Sequence, residues 1–311
     1  MAAQGVVVSG RVLRGGPAAR PFAGTWAVLH QVSMDGGGKP IDSMRTDARG
    51  GFRLTIARAD TGSLYVVSSW YAGIAYFSEP IVGGRRAADT LRPIHVYDTS
   101  STGPAVRLVR RLVTVARRKR DGTRDALELL ELENPGWTTR IAPDTLTPTW
   151  IGAIPSVAIQ FQVGQGDVSP AAVERRGDSV AVFGPIPPHE PKQVSFAYVI
   201  PADARRVEVP IDQPTAEVDL LLEDTATVVT AARLDSLGIE DIQGRRFARY
   251  RMRDVATGAA LALAPPAGGL QAQALVPIVV ALAAIVLGVG FVVAMRRHPS
   301  SVVRRPNSDD G

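Results

Sequence analysis

Apolar residues along most of this chain fall in short runs broken by glycine, proline and aspartate. Val6–Leu13 is followed by Gly15-Gly16-Pro17, and Thr25–Met34 ends at Asp35-Gly36-Gly37-Gly38. Gly51–Ile56, Leu64–Trp70, Ile74–Phe77 and Pro93–Tyr97 continue the series. Runs of this length between turn residues predict strands, and no helical period fits between them. Parallel pairing would need crossover helices, so residues 1–100 are expected to form an antiparallel sandwich of Greek-key type.

A second β-sandwich region is expected over residues 105–262. Val106–Arg118 and Ala126–Glu133 flank Asp121-Gly122, a strong hairpin signal. Arg107, Arg110, Arg111, Arg117 and Arg118 on the first arm oppose Glu128, Glu131 and Glu133 on the second. Each cross-strand pair of that kind contributes roughly 0.2–1 kcal/mol. Leucine and glutamate are also good helix formers, so a helix stays open for Ala126–Glu133. Val157–Val163, Ser179–Phe183, Val194–Ile200, Arg206–Pro210 and Val218–Leu222 read as further strands, whereas Ala226–Leu237 fits either period. In Arg245–Arg253 a strand would place Arg245, Arg249, Arg251 and Arg253 on one face with Phe247. That face suits contact with lipid head groups or an acidic partner, or simple solvation.

The pattern changes at the C-terminal end. Residues 263–274 read as a flexible stalk, and Leu275–Met295 is 21 residues without a charge. At 1.5 Å per residue that run spans about 31 Å, enough for one transmembrane helix. Arg296, Arg297, Arg304 and Arg305 follow it and mark residues 296–311 as a cytoplasmic tail. Everything before the run is then expected outside, in a periplasm or beyond. The first residues, MAAQGVVVSG, lack the basic and apolar regions of a signal peptide. A start upstream of Met1, with Ala2-Ala3-Gln4 near a cleavage site, reconciles the two better than a tail-anchored cytosolic protein.

Val8-Ser9-Gly10-Arg11-Val12, a Gly/Pro turn, and Thr46-Asp47-Ala48-Arg49-Gly50-Gly51-Phe52 together resemble the carboxypeptidase regulatory-like domain, a transthyretin-like sandwich. Tyr71–Pro80 is similar to bacterial exported members of that group. The resemblance covers about the first third of the chain and implies a non-catalytic accessory or interaction module. The related hydroxyisourate hydrolases carry a C-terminal Tyr-Arg-Gly-Ser motif, which this sequence lacks. Their activity is therefore not carried over.

Composition narrows the chemistry further. The 311 residues include no cysteine, which excludes thiol catalysis, disulfides and thiolate metal sites. The net charge of +5 is modest, and the arginine-rich hairpin has no stacking aromatics, so nucleic acid is not an expected partner. His30, His95, His189 and His298 are scattered, with no metal-binding pair, nucleophile elbow or phosphate loop. Gly164-Gln165-Gly166 lacks the third glycine and the helix of a dinucleotide loop. Asp219, Glu223 and Asp224 could hold a cation at a sandwich end. Trp137, Trp150 and Tyr198 are the candidate contacts for a protein partner or a glycan. No catalytic residue, cofactor or metal is expected. The leading expectation is a single-span membrane protein recruiting a protein partner in the cell envelope. The alternatives are a carbohydrate- or cell-wall-binding module, and an accessory subunit of a membrane enzyme or of respiratory-protein maturation.

Overall fold

The computed structural model describes residues 5–32, 38–60, 62–82 and 88–266. Among these the protein is all-β, with a single 3-10 turn at Pro170–Ala172. No helix among the described residues is long and apolar enough to cross a membrane. The apolar run 275–295 and the tail arginines Arg296, Arg297, Arg304 and Arg305 lie outside the described residues.

Two sheets enclose the N-terminal core. Val6–Arg14 is the hub of the first sheet, pairing antiparallel with Gly51–Ile56 and Arg20–Pro21. It also pairs parallel with Ala88–Thr90 and Ile94–Val96. The expected purely antiparallel arrangement is therefore corrected to a mixed one. The crossover to a parallel partner needs no helix here, because the intervening chain crosses through the other sheet. That second sheet runs Gly38–Arg45, Trp26–Val32, Leu64–Tyr71 and Ile74–Phe77, with Ile81–Val82 beside Leu64–Tyr71. Strict alternation shows why these runs are strands: Phe52, Leu54 and Ile56 are buried, while Arg53 and Thr55 face water. Ala27, Leu29, Tyr65, Val67 and Tyr76 close the core from the second sheet.

The Thr46–Phe52 turn sets the register of both sheets. Asp47 Oδ1 accepts from the backbone N–H of Arg49 at 2.8 Å and of Gly51 at 2.7 Å. Thr46 Oγ1 donates to the Phe22 carbonyl at 2.7 Å and accepts from Thr25 N–H at 3.1 Å. Gly50 sits at φ +72°, and a Cβ there would lie 2.3 Å from the Val12 carbonyl oxygen. Both left-handed strain and a backbone clash oppose any side chain at this position. Gly50→Ala is expected to cost about 2–4 kcal/mol, read as a lower urea midpoint at unchanged slope.

The second region is built on a seven-stranded sheet. Its order is Ile159–Val163, Lys192–Ile200, Arg124–Glu133, Arg107–Val115, Thr215–Leu222, Arg245–Val255 and Asp235–Ile242. Two three-stranded sheets complete it: Trp150–Ala153 with Ser179–Val182 and Val173–Arg176, and Val207–Glu208 with Leu261–Ala264 and Val228–Ala231. Residues of all three sheets, including Trp150, Val182, Leu263, Phe196, Leu130 and Leu220, share one core.

The Asp121-Gly122 hairpin forms as expected, with Gly122 at φ +88° and Lys119 N–H bonded to the Thr123 carbonyl at 2.8 Å. Ala126–Glu133 lies within the strand Arg124–Glu133, which closes the helical option. Ala226–Leu237 resolves into parts of two strands, Val228–Ala231 and Asp235–Ile242. Leu263 and Ala264, expected in the stalk, lie instead in the strand Leu261–Ala264, where Leu263 is buried, and residues 267–274 of that expectation lie outside the described residues. Thr99–Ser100 pairs with Thr139–Arg140, and Tyr76 Oη lies 2.8 Å from Thr139 Oγ1, so the two regions are joined by hydrogen bonds.

Candidate functional site

The second N-terminal sheet has one face in the core and one open. On the open face Trp26, Val28 and His30 on one strand neighbour Val66 and Trp70 on the next, with Ser68, in register on the same side, buried beneath its neighbours. The register that pairs Ala27 with Ser69 brings Trp26 and Trp70, one step further along, to neighbouring positions. Cβ atoms in such positions are about 4.5–5.5 Å apart. Phe77 pairs with Ser68 and extends the row onto the Ile74–Phe77 strand. A two-residue turn, Ala72 at φ +49° and Gly73 at φ +80°, holds that strand against its neighbour.

The rings are exposed although the fold has a core to offer. Trp26 is 48% exposed, Trp70 61% and Phe77 59%, and Leu64 and Val82 continue the apolar surface on the same face. Exposed apolar residues scattered singly need no explanation, but three aromatic side chains exposed on one sheet face mark a contact surface. Arg45 lies over the Trp26 ring, 4.9 Å from its centroid, and donates to the Gly24 carbonyl at 2.7 Å. This pre-orients the indole. His30 Nε2 and Ser68 Oγ are 2.8 Å apart, and exposed Ser43 pairs with Val28 at the margin. The surface thus combines flat rings with hydrogen-bonding groups on a rigid sheet.

The residues nominated from the sequence are dispersed by the structure. Trp137 is exposed and meets His189 edge-on at 4.8 Å between ring centroids. Trp150 is buried, with its Nε1–H donating to Gln213 Oε1 at 2.9 Å, and cannot offer a platform to a partner or glycan. Tyr198 is buried as well, its hydroxyl donating to Glu128 Oε1 at 2.9 Å. Both therefore serve the core. No local signal marks Trp26, Trp70 and Phe77, since in Trp26–Val32 and Leu64–Tyr71 both alternate faces carry apolar residues. Only strand pairing decides which face is covered.

Arg245, Arg249 and Arg251 lie on the half-buried outer face of the seven-stranded sheet, where each has a carboxylate. Arg251 Nε donates to Asp219 Oδ1 at 2.8 Å, and Arg249 Nη1 to Glu240 Oε2 at 3.0 Å. Arg245 Nε donates to Glu223 Oε1 at 2.9 Å. Arg110 adds a bond to Asp219 Oδ2 at 2.9 Å, and Arg117 one to Glu223 Oε1 at 2.7 Å. These pairings correct two expectations. Arg245, Arg249 and Arg251 are not free for lipid or an acidic partner, and Asp219 and Glu223 are surrounded by guanidinium groups, unlike a cation site.

Burial works to raise the Asp219 carboxyl, but hydrogen bonds from Arg251 and Arg110 outweigh it and hold its pKa below the ordinary value. Glu223 is lowered in the same way, with Arg245 and the Arg117 N–H against burial. A depressed native pKa contributes stability above the unfolded value and loses it as pH falls through the native one. The stability gap between the native chain and Asp219→Asn is therefore expected to be widest at neutral pH. It should close as pH falls below about 4, measured as urea midpoints across pH.

A groove of about 250 Å³ opens near the Lys119–Asp125 pair, with Leu127, Ala197 and Phe247 in its lining. The charged groups at its margin are paired with each other, and no nucleophile and base converge there. His95 is pushed below its ordinary pKa by burial, and its ring stacks on Tyr97 at 6.3 Å.

The fold and this surface define an all-β protein of several packed sheets with an open aromatic sheet face. No protein-family model and no curated protein matches the chain. Among solved structures, the major plantain pollen allergen aligns at 16% identity with a TM-score of 0.23. That alignment covers 29% of this chain and 91% of the allergen.

Proposed function

We propose that this protein is a membrane-anchored, exported, non-catalytic binding module that recruits a protein partner through the Trp26–Trp70–Phe77 face. In this reading residues 275–295 form the single span, residues 296–311 lie in the cytoplasm, and the β regions lie in the periplasm or outside the cell. The N-terminal unit belongs with the transthyretin-like carboxypeptidase regulatory-like domains, whose role is accessory. The observation that carries the proposal is the row of three exposed aromatic rings on a sheet whose other face already fills a core. Trp is enriched among the residues that dominate binding energy, and a rigid sheet holds it at low entropic cost.

A photoreactive group introduced at Ser43, on the margin of the face, tests this in native membranes. One discrete protein adduct, lost in the Trp26→Ala/Trp70→Ala double variant, is the expected result. Adduct formation that ignores the double variant would sink the reading.

The two exposed indoles on one sheet face also favour a second reading, in which sugar rings stack on them and His30 and Ser43 bond sugar hydroxyls. Retention on insoluble cell-wall glycan, released by soluble glycan and lost in the same variant, would select it over the protein partner.

A further inference from the structure

The described chain ends at one end of the second region. Leu261–Ala264 is its last strand, and Arg124 Nη2 donates to the Pro266 carbonyl at 3.3 Å. Strand registers gather four connections at that same end. Residues 116–123 form the hairpin before Arg124, and residues 201–206 follow Ile200, which pairs with Arg124. Residues 223–227 follow Leu222, which pairs with Val115, and residues 243–246 precede Ala248, which pairs with Leu222.

This end is basic in a way the strands are not. Lys119 is paired with Asp125 and Arg206 with Glu208. Arg118, Arg120, Arg205 and Arg246 have no ion-pair partner among the described residues. Arg118 is satisfied only by the Gly122 carbonyl, at 3.1 Å, and the other three are exposed. Asp121 accepts from the Thr123 N–H at 2.9 Å and makes no ion pair with them. Asp121, Asp203 and Asp241 are the exposed acids that stand against the four, with Asp241 opposite Arg246 in the strand register. Four guanidinium groups without an ion-pair partner, on three of these turns at the chain's exit point, are not required by the packing.

We propose that this end of the second region rests on an anionic lipid surface, with Arg118, Arg120, Arg205 and Arg246 facing the head groups. The proposal rests on the reading of residues 275–295 as a membrane span. The eight residues 267–274 (AGGLQAQA) separate Pro266 from that run. Eight residues reach at most about 28 Å. Screening at physiological salt confines the attraction to about 8 Å, a separation that lies within the reach of the tether. Anionic lipid, rather than an acidic protein, is the partner because the tether delivers this end to the bilayer at high local concentration.

The absence of native cysteine permits one reporter thiol. Ala202→Cys in the full-length chain, labelled with a fluorophore, is reconstituted into nanodiscs of phosphatidylcholine alone or with phosphatidylglycerol. Quenching by acrylamide is expected to fall about threefold or more in the anionic discs at low salt. It should recover in 0.5 M NaCl, and in the Arg118→Glu/Arg120→Glu/Arg205→Glu/Arg246→Glu variant. Co-elution with the discs reports separately on the span. A chain that embeds but quenches equally in both lipids overturns the proposal alone. A chain that does not embed overturns the span and the proposal together.

Discussion

Replacing Glu128 with alanine is expected to destabilise the second region by about 3–5 kcal/mol, the largest effect of any single polar substitution in this protein. Glu128 and Arg111 are both fully enclosed in the core, with Arg111 Nε donating to Glu128 Oε2 at 2.7 Å. Tyr198 donates to the other carboxylate oxygen, and burial together with that carboxylate pushes the phenol far above its ordinary pKa, so it stays a donor. Arg111 also donates from Nη1 to the Pro210 carbonyl at 2.6 Å and from Nη2 to the Ala153 carbonyl at 3.3 Å. One side chain thus ties the seven-stranded sheet to segments next to both smaller sheets. Removing Glu128 leaves a buried cation and a phenol hydroxyl without their acceptor. The double variant Arg111→Met/Glu128→Leu removes both charges and should recover most of the loss, because apolar replacement of a buried pair also removes its desolvation cost. Urea unfolding of the full-length chain separates the cases. A Glu128→Ala variant within 1 kcal/mol of the native chain would show that the pair does not hold the sheets together.

Trp26→Ala/Trp70→Ala is expected to weaken partner capture by at least 100-fold while leaving the urea midpoint nearly unchanged. Each central aromatic contributes roughly 2 kcal/mol or more when truncated at an interface, and the two add to well over that factor. The small stability change follows from exposure, since both rings lie on the open face. Trp150→Ala is the contrasting case. Its buried ring makes it a core deletion, expected to cost about 3–5 kcal/mol of stability. Equal binding by the native chain and the double variant would remove the aromatic face from consideration.

Much of the strand layout is legible in the sequence because alternation and turn chemistry are local properties. Gly51–Ile56 and Ile74–Phe77 are bounded by residues that force turns, and the structure keeps those bounds. The strand Gly38–Arg45 was not legible. It carries Lys39, Pro40, Asp42 and Arg45 and lies at a sheet edge, where little has to be buried and no apolar period is imposed. Glu128 illustrates the same boundary from the other side. Its strand alternates as expected, yet the position turns inward, because a buried arginine two residues out of register accepts it there.

The sequence by itself determined the class of the protein: short strands, tight turns at Gly50 and Gly122, no thiol chemistry, and an uncharged run near the C-terminal end. The tertiary structure alone decided which tryptophans are platforms and which are core, and which arginines keep a free charge. The reason is physical. Alternation states that a strand has two faces, but only the partner sheet determines which face loses water. Ion pairing between Arg251 and Asp219, or Arg245 and Glu223, depends on strands brought together from far along the chain.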